Sequence, residues 1–167
     1  KRQRLIVVAY GDCSFGNCED LRSQMGALVV VTTAEALNGE APGNVVDWRS
    51  CRTKRQVRAT LGGEANVADH ASDRGFWVAS ALTELLTGKS ALDLKDDERI
   101  PTFPVTDCKS LFDALQKESP QVEDKRTLID LLRLARTVSS DAVRWVPTEF
   151  MGADGLTKRD KHLRRRF

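Results

Sequence analysis

The pattern of apolar and polar positions predicts an α/β chain. The segment 5–12 predicts a strand, and the continuous apolar run within 25–33 predicts a second strand that is buried on both faces. A shorter segment at 45–50 predicts a third strand. Polar residues and a Gly, Pro and Asn loop separate these runs by short distances. Short connections favour antiparallel pairing, so the first three strands are expected to form a meander.

A helical repeat follows the meander. Apolar residues recur at helical spacing from about Leu61 to Leu86, and Gly88 is a suitable helix terminator. Glu64 falls in the predicted first turn, and it shares a face with the small residues Ala68, Ala71 and Gly75. That face is expected to lie on the sheet, because small side chains permit close approach.

The second half of the chain alternates strands and helices. Pro104 lies within the fourth predicted strand and indicates an edge position or an early break in the ladder. Ser110 and Asp113 resemble a capping box at the start of a helix. The expected fold is therefore a five-stranded mixed sheet, antiparallel in its first three strands and flanked by helices. The predicted elements are a strand at 102–107, helices from 110 through 115 and over 124–138, a strand at 142–147 and a short basic helix at 153–166.

Composition indicates one globular domain over residues 1–167. Of the 167 residues, 41% are hydrophobic and 30% are charged, which suits a single compact unit. The sequence lacks the roughly 20 consecutive apolar residues of a membrane span and has no secretory signal pattern. We expect an intracellular protein that is not secreted. Because the chain starts without Met, it is expected to be excised from a longer polyprotein.

Charge and cysteine content change this picture modestly. The net charge of +2 conceals basic clusters at 1–4, 49–58 and 158–166, which suit contact with nucleic-acid phosphates or simply form a solvated surface. The four cysteines contain no C-x-x-C pair, so they are expected to be reduced thiols rather than metal ligands. Cys13 and Cys108 each follow an aspartate, and their side chains are expected to point into the core.

Four acidic residues form the most informative pattern. Asp12 and Asp107 end strand-like runs, Glu64 opens the long helix, and Asp154 stands where the last helix begins. One fold could gather all four at the same edge of a sheet. Converging carboxylates bind hard divalent cations, and a two-metal phosphodiester hydrolase needs such a site. Individually, each acid could also be a turn residue or a favourable charge at a helix start.

Six dispersed segments carry a family resemblance. They read GDCSFGN, VDWRSCRTKRQV, LGGEANVADHASDRGFW, VTDCKSLFDAL, DKRTLIDLLRLAR and RWVPTEFMGADGLTK, in that order. Together they resemble the ribonuclease H domain at the end of copia-type LTR retrotransposon polyproteins, from Leu5 to Lys161. The resemblance implies a ribonuclease H-like fold and an endoribonuclease that cuts the RNA strand of RNA/DNA hybrids during reverse transcription, leaving 5′-phosphate products.

The resemblance also implies roles for the four acids as catalytic residues and metal ligands. Asp12 would bridge two Mg²⁺ ions, for which Mn²⁺ can substitute. Glu64 and Asp107 would hold the ion on the leaving side, and Asp154 the ion that activates the attacking water. The implied partners are an RNA/DNA hybrid and a polymerase domain of the same polyprotein, with no membrane, in the cytoplasm, the nucleus or a virus-like particle.

Substrate contacts are predicted in two groups. Discrimination in this family uses the RNA 2′-hydroxyls, and the alignment brings Ser14, Asn17, Arg22 and Asn66 near the acids. The basic segment after the third strand is expected to grip the DNA strand. Its candidate residues are Arg49, Arg52, Lys54 and Arg55.

Some features depart from the family or leave alternatives open. The loop before Asp154 lacks the His that many such enzymes carry, while His70 and His162 are expected to be surface or core residues. The three tryptophans are expected to be core anchors rather than stacking platforms. Two other functions stay open: a catalytically inactive nucleic-acid-binding or scaffold domain, and a DNA-cutting nuclease of the same superfold.

Overall fold

The computed structural model describes residues 4–18, 20–54, 56–117, 120 and 122–158. Its centre is a five-stranded sheet in the order β3-β2-β1-β4-β5. β1 pairs antiparallel with β2, and β2 with β3, whereas β4 lies parallel to both β1 and β5. The predicted mixed sheet with an antiparallel first half is confirmed. The strands are β1 Leu5–Ser14, β2 Gln24–Thr33, β3 Asn44–Arg52, β4 Thr102–Thr106 and β5 Arg144–Trp145.

Four α-helices accompany the sheet in the described part of the chain. α1 ends where predicted, because Gly88 adopts a left-handed conformation with φ 69°. The side chain of Asp124 caps α3 by accepting a hydrogen bond from the Thr127 backbone N–H at 2.9 Å. The capping box predicted at Ser110 is wrong, since Cys108 is the N-cap of α2 and no side chain caps it. The helices are α1 Thr60–Thr87, α2 Lys109–Leu115, α3 Lys125–Thr137 and α4 Asp154–Thr157.

α1 lies on one face of the sheet through small residues. Ala68 and Ala71 are buried against it, as the sequence pattern predicts. A Cβ atom added to Gly75 would lie 2.8 Å from Thr102 Cγ2 and 2.9 Å from Ala9 Cβ. The helix backbone therefore touches β1 and β4 directly, which fixes the height of Glu64 above the sheet.

We expect Gly75→Val to lower the free energy of unfolding by about 3 kcal/mol, the upper part of the range for overpacked cores. The valine side chain would clash with the Thr102 methyl group and with the Ala9 Cβ atom. A Cβ atom is fixed by the backbone and cannot rotate away. Urea unfolding measures the change. Gly39→Val is the matched control, because no atom of the described residues lies within 4 Å of the Cβ position at Gly39. Equal stabilities for the two variants would contradict the close packing of α1.

The remaining core lies in two places. Leu111, Leu115, Leu131 and Leu134 are buried between α1, α2 and α3. On the opposite face of the sheet, Ile6, Val8 and Val105 form a second cluster, and Leu28, Met151 and Ala153 form a third one that joins β2 to the segment before α4. This third cluster packs the segment before α4 against β2 and so places α4 beside the first strands.

Some details of the second half of the chain differ from the sequence expectations. Pro104 lies in an internal strand, so the edge position expected for it is wrong. The alternative expectation, an early break in the ladder, fits the structure, because β5 pairs only with Val105 and Thr106 and requires no N–H from the proline. The strand expected at 142–147 is only two residues long. The basic helix expected at 153–166 ends at Thr157, and 159–167 lie outside the described residues.

The tryptophans are not core anchors. Trp48, Trp77 and Trp145 are 63%, 78% and 42% exposed. Trp48 lies on edge strand β3 and Trp77 on the outer side of α1, while the indole N–H of Trp145 donates to the Asp107 carbonyl oxygen at 2.9 Å. The described part of the chain was also compared with the length and hydropathy of a membrane span, and no helix in it is long and apolar enough to cross a membrane.

Candidate metal centre

Strand pairing brings two of the predicted acids to the same level of the sheet. Tyr10 of β1 is paired with Val105 of the parallel strand β4. Asp12 and Asp107 each lie two residues further on, Asp12 within β1 and Asp107 just after β4. Glu64 reaches the same edge from above, one turn into α1 rather than in its first turn.

These three residues, which we name the carboxylate cluster, are close enough to share an ion. Asp12, Glu64 and Asp107 each offer one carboxylate oxygen, and the three atoms lie within 4.8 Å of one another. Asp12 and Glu64 are buried, and Asp107 is half-buried. Such an arrangement of hard oxygen donors is what small divalent cations prefer.

The carboxylate cluster contains more negative charge than the neighbouring positive groups offset. Burial, followed by the charges of Asp12 and Asp107, raises the pKa of Glu64 to about 9. Burial also raises the pKa of Asp12, and the charges of Asp107 and Asp154 act in the same direction. Glu64 Oε2 is buried and has no hydrogen-bond partner among the described residues. A cation would relieve both the repulsion and the unpaired oxygen, so the donor set fits a divalent ion.

Asp154 lies beside the carboxylate cluster rather than inside it. It is the first residue of α4, and its charge contributes to the raised pKa of Asp12. Its Oδ1 atom lies 3.0 Å from the Lys158 ammonium group. The structure thus brings three of the four predicted ligands together and puts the fourth next to them, paired with a lysine.

α4 is held at this edge by hydrogen bonds to residues far away in the chain. The Thr157 hydroxyl donates to Asp12 Oδ2. Asn17 Nδ2 donates to the Thr157 carbonyl oxygen at 3.4 Å, and Ser50 Oγ donates to the Leu156 carbonyl oxygen at 2.6 Å. Packing is tight there, since a Cβ atom on Gly26 would lie 2.8 Å from Leu156 Cβ.

Sequence reasoning missed Thr157 and Lys158. Both belong to the ADGLTK segment, from which only Asp154 was selected. Residues three and four positions after an aspartate at a helix start lie on the same side of one helical turn. That spacing is the sequence signal that both residues lie beside Asp154.

We expect Thr157→Val to weaken Mn²⁺ binding about 10- to 100-fold, as is typical when a group that orients a metal ligand is lost. Valine keeps the shape of threonine but cannot donate to Asp12 Oδ2. Isothermal titration calorimetry measures the affinity. Thr157→Ser, which retains the hydroxyl, serves as the control and should bind within a few-fold of the parent. Equal weakening in both variants would contradict an orienting role.

Three of the four basic candidates lie together in a groove between β3 and α1. Arg49, Arg52, Lys54 and Asn66 line this groove of about 410 Å³. His70 also lines it, and burial followed by the charges of Arg49 and Arg74 lowers the pKa of the imidazole. Arg55, the remaining basic candidate, lies outside the described residues, as does His162.

Two of the three candidates near β1, Asn17 and Arg22, have partners within the protein. Ser14 ends β1 and is half-buried. Asn17 accepts a hydrogen bond from the Gln24 backbone N–H at 3.1 Å, in addition to its bond to Thr157. The Arg22 guanidinium pairs with Asp20 and holds the pKa of that carboxyl at about 2. Asn17 and Arg22 therefore organise the loop after β1 in this structure.

No protein-family model and no curated protein sequence matches this chain. Solved structures do. The chain is similar to RNase H1 from the halophilic archaeon Halobacterium salinarum NRC-1, with a TM-score of 0.54 and 14% identity over 92% of this chain and 93% of that one. This similarity and the sheet order show a ribonuclease H-like fold.

Two further similar structures are foamy virus protease-reverse transcriptases. The native protease-reverse transcriptase of prototype foamy virus has a TM-score of 0.48 and 11% identity, over 98% of this chain and 19% of that one. The foamy viral protease-reverse transcriptase in complex with an RNA/DNA hybrid has a TM-score of 0.47 and 12% identity, over 87% of this chain and 18% of that one.

Proposed function

We propose that this protein is a metal-dependent endoribonuclease that hydrolyses the RNA strand of RNA/DNA hybrids. The observation that carries the proposal is the carboxylate cluster, in which two buried acids and a half-buried one face each other. A buried oxygen of Glu64 has no hydrogen-bond partner within the part of the chain that the structure describes. Repelling carboxylates held this closely are costly unless a cation offsets them. The ribonuclease H-like fold supports nuclease chemistry at this edge of the sheet.

Asp12, Glu64 and Asp107 would hold Mg²⁺ ions, with Asp154 as a further ligand on the side of α4. When bound, paired ions lower the pKa of a water molecule and stabilise charge on the departing 3′ oxygen, which leaves a 5′-phosphate product. Thr157 fixes the orientation of Asp12, and the backbone of α1 against the sheet fixes Glu64. The protein therefore supplies a prearranged set of oxygen atoms whose repulsion favours ion uptake.

The groove between β3 and α1 is the proposed path of the DNA strand. Its Arg49, Arg52 and Lys54 side chains carry positive charge, although Asp69 and Asp73 also line the groove. Cations at this position would attract backbone phosphates without reading sequence. We further propose that the chain is the ribonuclease H part of a copia-type retrotransposon polyprotein, with the polymerase domain as its partner.

Cleavage of labelled duplexes tests the proposed function. RNA/DNA hybrid, double-stranded RNA, double-stranded DNA and single-stranded RNA are incubated with the protein in Mg²⁺ or Mn²⁺, and the product ends are analysed. We expect cleavage of RNA in the hybrid only, with 5′-phosphate ends. Cutting of duplex DNA would instead identify a DNA nuclease, and hybrid binding without cleavage in either ion would identify an inactive binding domain.

A further inference from the structure

A positively charged residue, Lys158, lies at the same edge of the sheet as the carboxylate cluster. Lys158 follows Asp154 by one helical turn, and its ammonium nitrogen lies 3.0 Å from Asp154 Oδ1. The side chains are 44% and 28% exposed, so water screens this pair only partly. The ammonium group therefore lies directly on the acid that the proposed function assigns to a metal ion.

The influence of Lys158 extends beyond its contact with Asp154. The charges of Asp154, Asp12 and Asp107 all raise the pKa of Lys158, and Lys158 in turn acts to lower the pKa of Asp12. The lysine is thus electrostatically coupled to the carboxylate cluster as well as to its ion-pair partner. It offsets part of the negative charge that would otherwise destabilise the metal-free protein.

We propose that Lys158 is a built-in counter-cation that competes with a divalent ion for Asp154 and so sets the metal concentration at which the site fills. This inference rests on the proposed function. An Asp154 oxygen that accepts a hydrogen bond from an ammonium group is a poorer ligand, and a divalent ion nearby repels that group. The flexible four-carbon stem of lysine permits withdrawal when an ion binds.

The competition predicts that loss of the lysine charge tightens metal binding. A purely structural lysine, which only holds Asp154 in place, predicts the opposite result, because its removal would disorder a ligand. Lys158→Gln and Lys158→Met remove the charge, whereas Lys158→Arg retains it. Lys109→Gln is the matched control, since Lys109 and Asp113 form another lysine–aspartate pair four residues apart, at 2.6 Å, outside the carboxylate cluster.

The experiment is a Mn²⁺ titration by isothermal calorimetry without nucleic acid. We expect Lys158→Gln and Lys158→Met to bind Mn²⁺ about three- to tenfold more tightly, the size expected for a partly screened charge beside a divalent ion. Lys158→Arg and Lys109→Gln should stay within twofold of the parent. In an Asp154→Asn background, Lys158→Gln should no longer tighten binding, because the contested oxygen has lost its charge.

Unchanged or weaker Mn²⁺ binding in both charge-removing variants would overturn the proposal, and so would equal tightening in the Lys109→Gln control. Circular dichroism melts establish that each variant is folded before titration. The measurement contains no substrate, so it decides the role of Lys158 independently of cleavage. A parent protein that binds Mn²⁺ but cuts no hybrid would contradict the proposed function alone.

Discussion

Asp12→Asn is expected to reduce Mg²⁺-dependent hybrid cleavage by at least about 1,000-fold, since the metal ions at such a site supply several kcal/mol of stabilisation and each 1.4 kcal/mol is a tenfold change in rate. Asp12 is the member of the carboxylate cluster that also receives the Thr157 hydroxyl bond. Asp107→Asn should behave similarly. Initial rates on a labelled hybrid measure both variants.

The matched control for this prediction is Asp113→Asn on α2. It removes the same charge from an exposed aspartate that pairs with Lys109 and lies outside the carboxylate cluster. We expect this variant to cleave within a few-fold of the parent. Asparagine at Asp12 should not unfold the protein, because the native carboxylate is buried beside like charges. Cleavage that survives both Asp12→Asn and Asp107→Asn would rule out the proposed mechanism.

Stability without metal is expected to fall as the pH rises from 5 to 9. The folded protein raises the pKa of Glu64 to about 9 from the usual 4.5, so the folded state keeps a proton that the unfolded chain releases above pH 4.5. The stabilisation is complete below that pH and is lost as the pH approaches 9. The full shift corresponds to at most about 6 kcal/mol. Urea unfolding in a chelating buffer measures the slope.

Glu64→Gln should remove most of this slope, while Glu84→Gln on the exposed side of α1 should leave it in place. His70 acts in the opposite direction over the lower part of the range, because its pKa is lowered on folding and its contribution grows as the pH rises. The His70 contribution to stability cancels when Glu64→Gln is compared with the parent, because both proteins contain this histidine. Millimolar Mg²⁺ should restore stability near pH 9 by binding the ionised carboxylates. Parallel curves for the parent and Glu64→Gln would contradict the retention of a proton by Glu64 in the folded state.

Much of the fold could be predicted because its periodic segments are long. The apolar runs of β1 and β2 and the small-residue face of α1 specify both element type and buried face. The meeting of Asp12 with Asp107 follows from parallel pairing of the two strands that precede them. These inferences depend on local repetition and on sheet geometry, and both are visible in the sequence.

Other features depend on contacts that no local pattern encodes. The exposed position of Trp48 depends on β3 being an edge strand, and that of Trp77 on which side of α1 meets the sheet. The bond from Thr157 to Asp12 joins residues 145 positions apart, through a helix of only four residues that has no periodicity to detect. Tertiary placement rather than residue type decides these cases.

The hydrogen bond from Thr157 to Asp12 affects both synthesis of the chain and its response to proteolysis. During synthesis, Asp12 leaves the ribosome long before Thr157, so the nascent protein can form its first strands without completing the acid edge. Proteolytic clipping between β5 and α4 would leave Asp154, Thr157 and Lys158 attached to the sheet only through non-covalent contacts such as the Thr157–Asp12 hydrogen bond. Intact and clipped forms should therefore differ in hydrolytic activity while sharing most of their core.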